Sequence, residues 1–173
     1  KVERDEGQYD SRRDIFWASG AAMCCRREVY EALGGLDEGF FAHMEEIDLQ
    51  WRMQLSGWRI VVEPRSVVYH LGGGTLPASP MKSYLNHRNN LTMLYKCSTP
   101  MQRCVVAVVR PFTDMAEALA YLIMLKPRMS WSVVRAWWSF IKWHKELSVK
   151  RKSVVRKAKV RNIYRGSIVL RYI

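Results

Sequence analysis

Hydrophobic residues recur at helical spacing near the centre of the chain. Ile47, Trp51 and Leu55 follow one another at intervals of four, which places them on one face of a helix. We therefore predict a helix over residues 45–56, with Gly57 as its C-terminal stop.

A shorter helix and three β segments are predicted around this central helix. Residues 26–33 are typical of one or two helical turns, which end before a pair of glycines. Residues 14–25 are apolar with small residues in the middle, a pattern that favours a buried strand with a bend. Two more short strands are predicted over residues 59–63 and 66–70, with a proline between them.

The second half of the chain is predicted to be helical. Pro77 and Pro80 mark a linker, and residues 82–96 have the pattern of a helix. Residues 103–125 are largely apolar, but a proline and charged residues interrupt them. No apolar run therefore reaches the length that spans a bilayer.

Residues 130–147 have the pattern of a basic amphipathic helix. One face is apolar and carries Trp131, Val134, Trp138 and Ile141. The other face is polar and carries Arg135, Ser139, Lys142 and Glu146. Tryptophans at the edge of a basic helix are typical of a helix that lies in a membrane interface.

Charge divides the chain into two unlike parts. The 173 residues carry a formal net charge of +12. Residues 1–80 contain 9 basic and 13 acidic residues, a net of −4, whereas residues 81–173 contain 19 and 3, a net of +16. The basic part predicts an anionic partner, either membrane lipid or nucleic acid. The length fits one domain, or one domain with an appendage.

The cysteines favour neither a zinc site nor a disulfide framework. Cys24 and Cys25 are adjacent, and no CxxC pair occurs. We interpret the four thiols as reduced, as is typical of a cytosolic protein. The charged start without a methionine suggests that these residues are the later part of a longer protein.

Three acidic residues stand at the head of the predicted central helix: Glu45, Glu46 and Asp48. The positive end of the helix dipole favours the ionised form of a carboxylate there. Such a carboxylate can act as a general base toward a hydroxyl. The alternative is structural, since the glutamates complement the dipole and Asp48 can pair with Arg52 four residues later.

A histidine, three glycines and a tryptophan are further candidates. His70 can ligate a divalent cation together with oxygen ligands and a diphosphate, although lone histidines at strand ends are more often structural. The glycines at 72–74 let backbone N–H groups approach a phosphate, but such runs also form plain loops. Trp17, near the bend at 19–21, either frames a ligand pocket or packs in the core.

The ordered series of these motifs resembles a known family. The series runs FWASGAAMCCRREVYEALGGLDEGFFAHMEEIDLQWRMQLSGWRIVVEPRSVVYHLGGGT, with GQYD before it and YLNHRNN after it. It resembles the second half of the catalytic domain of glycosyltransferase family 2, the inverting GT-A type enzymes, and is most similar to bacterial rhamnosyltransferase-like members. The resemblance covers residues 7 to 96.

The resemblance implies an α/β fold, namely the C-terminal half of a GT-A fold followed by amphipathic helices. Residues 1–80 would be a partial catalytic domain that carries the acceptor side of the site. Residues 81–173 would be a basic, tryptophan-rich helical region associated with a membrane. The expected location is cytoplasmic, peripheral on the inner face of the cell membrane.

The resemblance also implies roles for individual residues. In the family's (Glu-Asp)-x-Asp-Leu-x-x-Arg pattern the second acid is the catalytic base, and this position is Glu46 here. The family usually has aspartate at this position. Glu45 and Asp48 are therefore possible substitutes for the base. His70 resembles the histidine that assists metal–diphosphate binding. The residues implied in substrate binding are Trp17, Ser19, Gly20, Ala21 and Arg52.

No Asp-x-Asp motif, the family's metal signature, occurs in the sequence. The resemblance therefore implies a fragment that is inactive alone, with Mg²⁺ or Mn²⁺ held mainly by residues outside it. The implied reaction transfers a sugar from a nucleotide-sugar donor to a hydroxyl acceptor, possibly lipid-linked, in cell-surface polysaccharide or glycolipid synthesis. The main alternative is a non-catalytic module that binds a membrane or a protein through the basic helices. Nucleic-acid binding is not expected, because the tryptophans lie on an apolar face instead of alternating with the charges.

Overall fold

The computed structural model describes residues 6–70 and 79–162, and this part of the chain is mainly helical. Two short antiparallel strands, β1 (Arg13–Asp14) and β2 (Val61–Val62), form a small sheet. The helices, in chain order, are α1 (Arg27–Ala32), α2 (Glu45–Leu55), α3 (Pro80–Cys97), α4 (Pro100–Ile123), α5 (Pro127–Lys142) and α6 (His144–Ser153). A GT-A fold of α/β class, as the family resemblance implies, stays a prediction.

The buried strand predicted over residues 14–25 is wrong. Only Asp14 of that run is in a strand, and a 3₁₀ turn over Gly20–Ala22 follows. Trp17 is 41% exposed, so the segment is not an interior strand. The physical reason is that side chains of α2, rather than a neighbouring strand, bond much of its backbone.

The two later strands are largely absent as well. Within residues 59–63 only the two residues of β2 pair, and they pair with β1. Residues 66–70 form no strand, and all five are exposed. An isolated two-stranded ribbon of this length offers little support for a third strand.

The helices on either side of the glycine pair follow the prediction. α1 ends before Gly34 and Gly35, whose φ angles of +75° and +64° lie in the left-handed region that glycine tolerates. α2 has nearly the predicted bounds, and Gly57 after it has φ +100°. Both helices are therefore confirmed.

Pro80 begins a helix instead of belonging to a linker. The side chain of Ser79 accepts a hydrogen bond from the Lys82 N–H at 3.2 Å and caps α3. A proline suits the first turn because its missing N–H would have had no partner there. The eight residues before Ser79, which include the glycines at 72–74, lie outside the described residues.

Residues 100–153 form three helices whose bounds differ from the predicted ones. α4 continues through Pro111, and a capping box of Thr99 and Gln102 stabilises its start. The single helix predicted over residues 130–147 is instead α5 and α6, which meet at Trp143. As predicted, none of the described helices is long and apolar enough to cross a membrane.

The hydrophobic core lies on two sides of α2. On one side the cluster joins α2 to α3 and to the segment after α6; its members are Phe40, Trp51, Leu55, Met93, Cys97 and Val154. On the other side α2 packs on α1 through Val29, Leu49 and Met53. Every residue from Asp48 to Leu55 is buried. Polar side chains in this stretch therefore need partners inside the protein.

Candidate active site

The predicted acid and the predicted bend are neighbours in space. A Cβ atom placed on Gly20 would lie 3.6 Å from both Cβ and Cγ of Glu46. The Ser19 side chain accepts a hydrogen bond from the Ala21 N–H at 3.3 Å and starts the turn. The structure thus brings Glu46 together with the 19–21 bend.

Three side-chain atoms near the start of α2 are enclosed and have no hydrogen-bond partner among the described residues. They are His43 Nε2, Glu45 Oε2 and Glu46 Oε2. Buried polar atoms in proteins are nearly always bonded, so each exception needs an explanation. Three such atoms within four residues favour a site that binds or reacts with a polar group. His43 was not among the sequence candidates, although its place two residues before the acid pair was a possible signal.

The loop that leads into α2 has a strained backbone. Phe41, His43 and Met44 have φ angles of +63°, +69° and +73°, in a region that side chains other than glycine rarely adopt. Such strain costs of the order of 1–3 kcal/mol per residue and concentrates at functional sites. The observed strain agrees with a functional role for the loop and the acids that follow it.

The YLNHRNN motif holds this strained loop in place. Asn89 Nδ2 lies 2.7–3.0 Å from the carbonyl oxygens of Phe40, Ala42 and His43. Arg88 donates to the Phe40 carbonyl at 2.7 Å and to the preceding carbonyl at 2.9 Å. Both side chains are buried, so α3 positions the entry to α2 from inside the fold.

Two glutamines of α2 hold the predicted substrate-binding segment. Gln50 accepts from the Ala18 N–H at 2.6 Å and donates to the Ala18 carbonyl at 2.7 Å. Gln54 donates to the carbonyls of Ile15 and Phe16 at 3.1 and 3.0 Å. Glu46 lies one helical turn before Gln50, on the same face of α2. The acid and the 15–20 segment therefore share one surface of the helix.

An open cleft lies beside this segment and the small sheet. Its volume is about 990 Å³. The lining includes Trp17 and Ser19 together with the charged side chains of Arg13, Asp14 and Glu63. Aromatic and charged groups of this kind are suited to a polar ligand. Glu46 does not line the cleft itself but contacts the residue after Ser19.

Asp48 and Arg52 form the ion pair that their spacing predicted. Asp48 Oδ2 accepts from Arg52 Nε at 2.8 Å, and both residues are buried. The other guanidinium nitrogens donate to the carbonyls of Leu33 and Gly35 at 2.5 and 2.7 Å. Since every nitrogen of the group is engaged inside the protein, the geometry favours the structural interpretation over substrate binding or catalysis by this pair.

A lysine pair extends this network to the C-terminal helices. Lys96 Nζ lies 3.0 Å from Asp48 and 2.6 Å from Asp37, and Lys150 Nζ lies 2.7 Å from Asp37. Burial of Asp37 tends to raise its pKa, but hydrogen bonds from Lys150 and Lys96 outweigh burial and hold the pKa at about 2. Sequence spacing missed these contacts because their members are far apart along the chain.

The His70 side chain is exposed at the end of the first described stretch. Among the described residues, no hydrogen bond or ion pair joins it to Glu45 or Glu46. The described side chains around it do not form a set of three metal ligands, so they do not by themselves fit a divalent cation. The role of His70 in metal binding stays a prediction.

Comparisons with known proteins point to one kind of enzyme. The chain is similar to N-acetylglucosaminyl-diphospho-decaprenol L-rhamnosyltransferase of Mycobacterium tuberculosis, in strains CDC 1551 / Oshkosh and ATCC 25618 / H37Rv. The identity is 37% over 67 residues, which are 39% of this chain and 22% of each relative. The match thus spans only about a fifth of these relatives' length. No protein-family model and no solved structure matches the chain.

The similarity supports the sequence prediction in its coarser form, a relation to a glycosyltransferase. It does not show membership of family 2, the GT-A fold or an inverting mechanism, and these three points are therefore proposals.

Proposed function

We propose that this chain forms the acceptor-side part of an inverting glycosyltransferase of family 2. The enzyme would transfer a sugar, of the rhamnosyl type, from a nucleotide-diphosphate donor to a hydroxyl acceptor. The observation that carries the proposal is Glu46, whose enclosed and unpartnered Oε2 lies at the start of α2 beside Gly20. The 37% identity to an enzyme named a rhamnosyltransferase supports it.

In this proposal Glu46 is the general base. Its carboxylate, at the N-terminal end of α2, takes the proton of the acceptor hydroxyl. The acceptor oxygen then forms a bond to the anomeric carbon from the side opposite the diphosphate, and the bond to the diphosphate oxygen breaks. Glu45 is the substitute base, because it has an enclosed free oxygen of the same kind. Asp48 and Arg52 hold the helix that presents these acids.

The remaining parts of the site are assigned by chemistry. The sugar or the acceptor would contact the residues at or beside the cleft, namely Trp17, Ser19, Gly20 and Ala21. A divalent cation, Mg²⁺ or Mn²⁺, would offset the charge that grows on the departing diphosphate. His70 would assist in holding it, with most ligands supplied from outside the described residues.

A lipid-linked acceptor and a peripheral location on the cytoplasmic side of the cell membrane complete the proposal. The named relatives act on an acceptor with a diphospho-decaprenol group, which is a lipid. The strongly basic second half of this chain suits an anionic membrane surface. The product would enter a cell-surface polysaccharide or glycolipid.

A chimera tests the proposal. The aligned segment of this chain replaces its counterpart in the mycobacterial relative, and transfer of labelled rhamnose to the N-acetylglucosaminyl-diphospho-decaprenol lipid is measured. Glu46→Gln should lower the rate by about 10²–10⁴-fold, the usual contribution of a general base. The matched control is Glu31→Gln, the same change on the exposed part of α1, which should leave the rate unchanged. Full activity of the Glu46→Gln chimera would show that this residue is not the base.

A second candidate function is a non-catalytic module that binds a membrane or a protein. The observation that favours it is the large exposed apolar area of α4 and α5. In that case the chimera would show no transfer with any variant, while binding through the helices would survive the Glu46→Gln change.

A further inference from the structure

One side of α4 exposes apolar side chains along the whole helix. Seven of them recur every three or four residues, and each is at least 50% exposed: Met101, Val105, Val108, Phe112, Met115, Leu119 and Leu122. At 100° per residue they fall within an arc of about 100°. We call these seven residues the α4 stripe. The 24 residues of α4 make it about 36 Å long at 1.5 Å per residue.

The α4 stripe points away from the rest of the protein. Asp114 and Ala118 are the buried residues of α4, and they lie on the opposite half of the helix. Trp137 of α5 donates to Asp114 at 2.9 Å, so this opposite half is the side that packs on α5. A continuous apolar surface of this length is unusual on a soluble domain and marks an interaction site.

Further apolar side chains are exposed at the end of α4 and in α5. Ile123, the last residue of α4, is 76% exposed, and Leu125 in the turn that follows is 88% exposed. In α5, Trp131 and Trp138 are 64% and 71% exposed. No described residue therefore packs over the apolar face that was predicted from the sequence. Tryptophan is the side chain that prefers the boundary between lipid headgroups and acyl chains.

The charges of this region identify the kind of partner. Residues 100–142 contain six basic and two acidic residues. Both acids are already paired: Asp114 with Arg110 at 3.1 Å, and Glu117 with His87 at 3.2 Å. Apart from Arg110, the basic residues of α4, α5 and the turn between them therefore have no acidic partner among the described residues, and two of them, Lys126 and Arg128, flank the exposed turn. An apolar stripe with a cationic rim complements an anionic lipid surface.

We propose that α4 lies flat on an anionic membrane, with the α4 stripe inserted at the headgroup boundary. The inference rests on the proposed function for the identity of the membrane, the cytoplasmic leaflet that carries the acceptor. The main apolar contact with the membrane is therefore made by α4, and not by the tryptophan-bearing helix α5. Arg110 and Asp114 stay on the protein side of α4, as is expected of a helix that lies in the interface.

Vesicle flotation of the full chain tests the proposal. Vesicles of phosphatidylcholine with phosphatidylglycerol should bind the chain, and vesicles of phosphatidylcholine alone should bind it much more weakly. Phe112→Glu should weaken binding at least about tenfold, because a buried Phe side chain contributes the free energy of a tenfold change or more. The matched control is Thr113→Glu, the same charge at the next position, outside the α4 stripe. It should weaken binding far less.

The possible outcomes separate this inference from the proposed reaction. Glu46→Gln should bind vesicles like the unmodified chain, whatever its effect on transfer. Equal losses for Phe112→Glu and Thr113→Glu, with unchanged circular dichroism, would mean attraction by charge alone and would overturn insertion of the stripe. Absence of binding to anionic vesicles would overturn the proposal and leave a protein partner to cover α4. Equal binding to both kinds of vesicle would overturn the anionic preference.

Discussion

Replacing Asp48 by Asn should destabilise the protein far more than replacing Glu46 by Gln, although the two acids belong to one helix. The Asp48 side chain is fully buried and contacts Arg52 and Lys96, whose side chains are 9% and 3% exposed. Loss of its charge leaves two buried cations with less compensation. Breaking a buried ion pair costs about 3–5 kcal/mol. Since Lys96 keeps its contact with Asp37 and Asn keeps the shape of Asp, we expect about 3 kcal/mol.

The Glu46→Gln change removes no contact of this kind. One carboxylate oxygen of Glu46 already lacks a hydrogen-bond partner. A change that breaks no buried pair usually alters the free energy of unfolding by less than about 1 kcal/mol. The same helix thus provides a matched pair of substitutions, each of which neutralises one acid.

Urea unfolding, followed by tryptophan fluorescence, measures both free energies. For a chain of this size, about 3 kcal/mol corresponds to a fall in Tm of roughly 6–12 °C, which circular dichroism can check. An Asp48→Asn variant as stable as the unmodified chain would refute the argument that the Asp48 network holds α2. A loss for Glu46→Gln as large as that for Asp48→Asn would mean that Glu46 is structural.

Two further predictions follow from the same geometry. Asn89→Ala should cost about 1–3 kcal/mol in unfolding free energy, because the carbonyls of Ala42 and His43 lose this donor, while that of Phe40 keeps its bond from Arg88. Asn90→Ala, at the next position, is the control and should change little in urea unfolding. Acid should also destabilise the fold through Asp37, because its folded pKa of about 2 lies below its usual value near 3.8. This stabilisation is present above the unfolded pKa, is lost as the pH falls from about 4 toward 2, and is of the order of 2 kcal/mol. The free energy of unfolding of Asp37→Asn, plotted against pH, should therefore fall less steeply between about pH 4 and pH 2 than that of the unmodified chain. An unchanged slope would exclude Asp37 as the cause of the acid destabilisation.

The helices around the site could be predicted from the sequence because their signals are local. α2 needs only the spacing of Ile47, Trp51 and Leu55 and a glycine stop, all within a few turns. Strands depend on partners from elsewhere in the chain, and the apolar composition of residues 14–25 says nothing about whether a partner strand exists. Here the glutamines of α2 take much of that role.

The candidate site could be predicted only in part, for the same reason. The family resemblance assigned both Glu46 and Gly20 to the site, and the two are neighbours in the structure. The contacts of Asp37 with Lys96 and Lys150 join positions 59 and 113 residues apart, which no local pattern reveals. The left-handed backbone at His43 and Met44 is equally hidden, since neither residue type normally signals it.

Burial separates two kinds of polar residue within α2. Four of them are enclosed and fully engaged with partners in the protein: Asp48, Gln50, Arg52 and Gln54. Within the part of the chain that the structure describes, the enclosed oxygens of α2 without partners belong to Glu45 and Glu46, at the positive end of the helix dipole. A helix whose other buried polar groups are all satisfied has no folding reason to leave these oxygens unbonded. A ligand hydroxyl that donates to Glu46 would satisfy one of them, which is why the proposed acceptor is placed there.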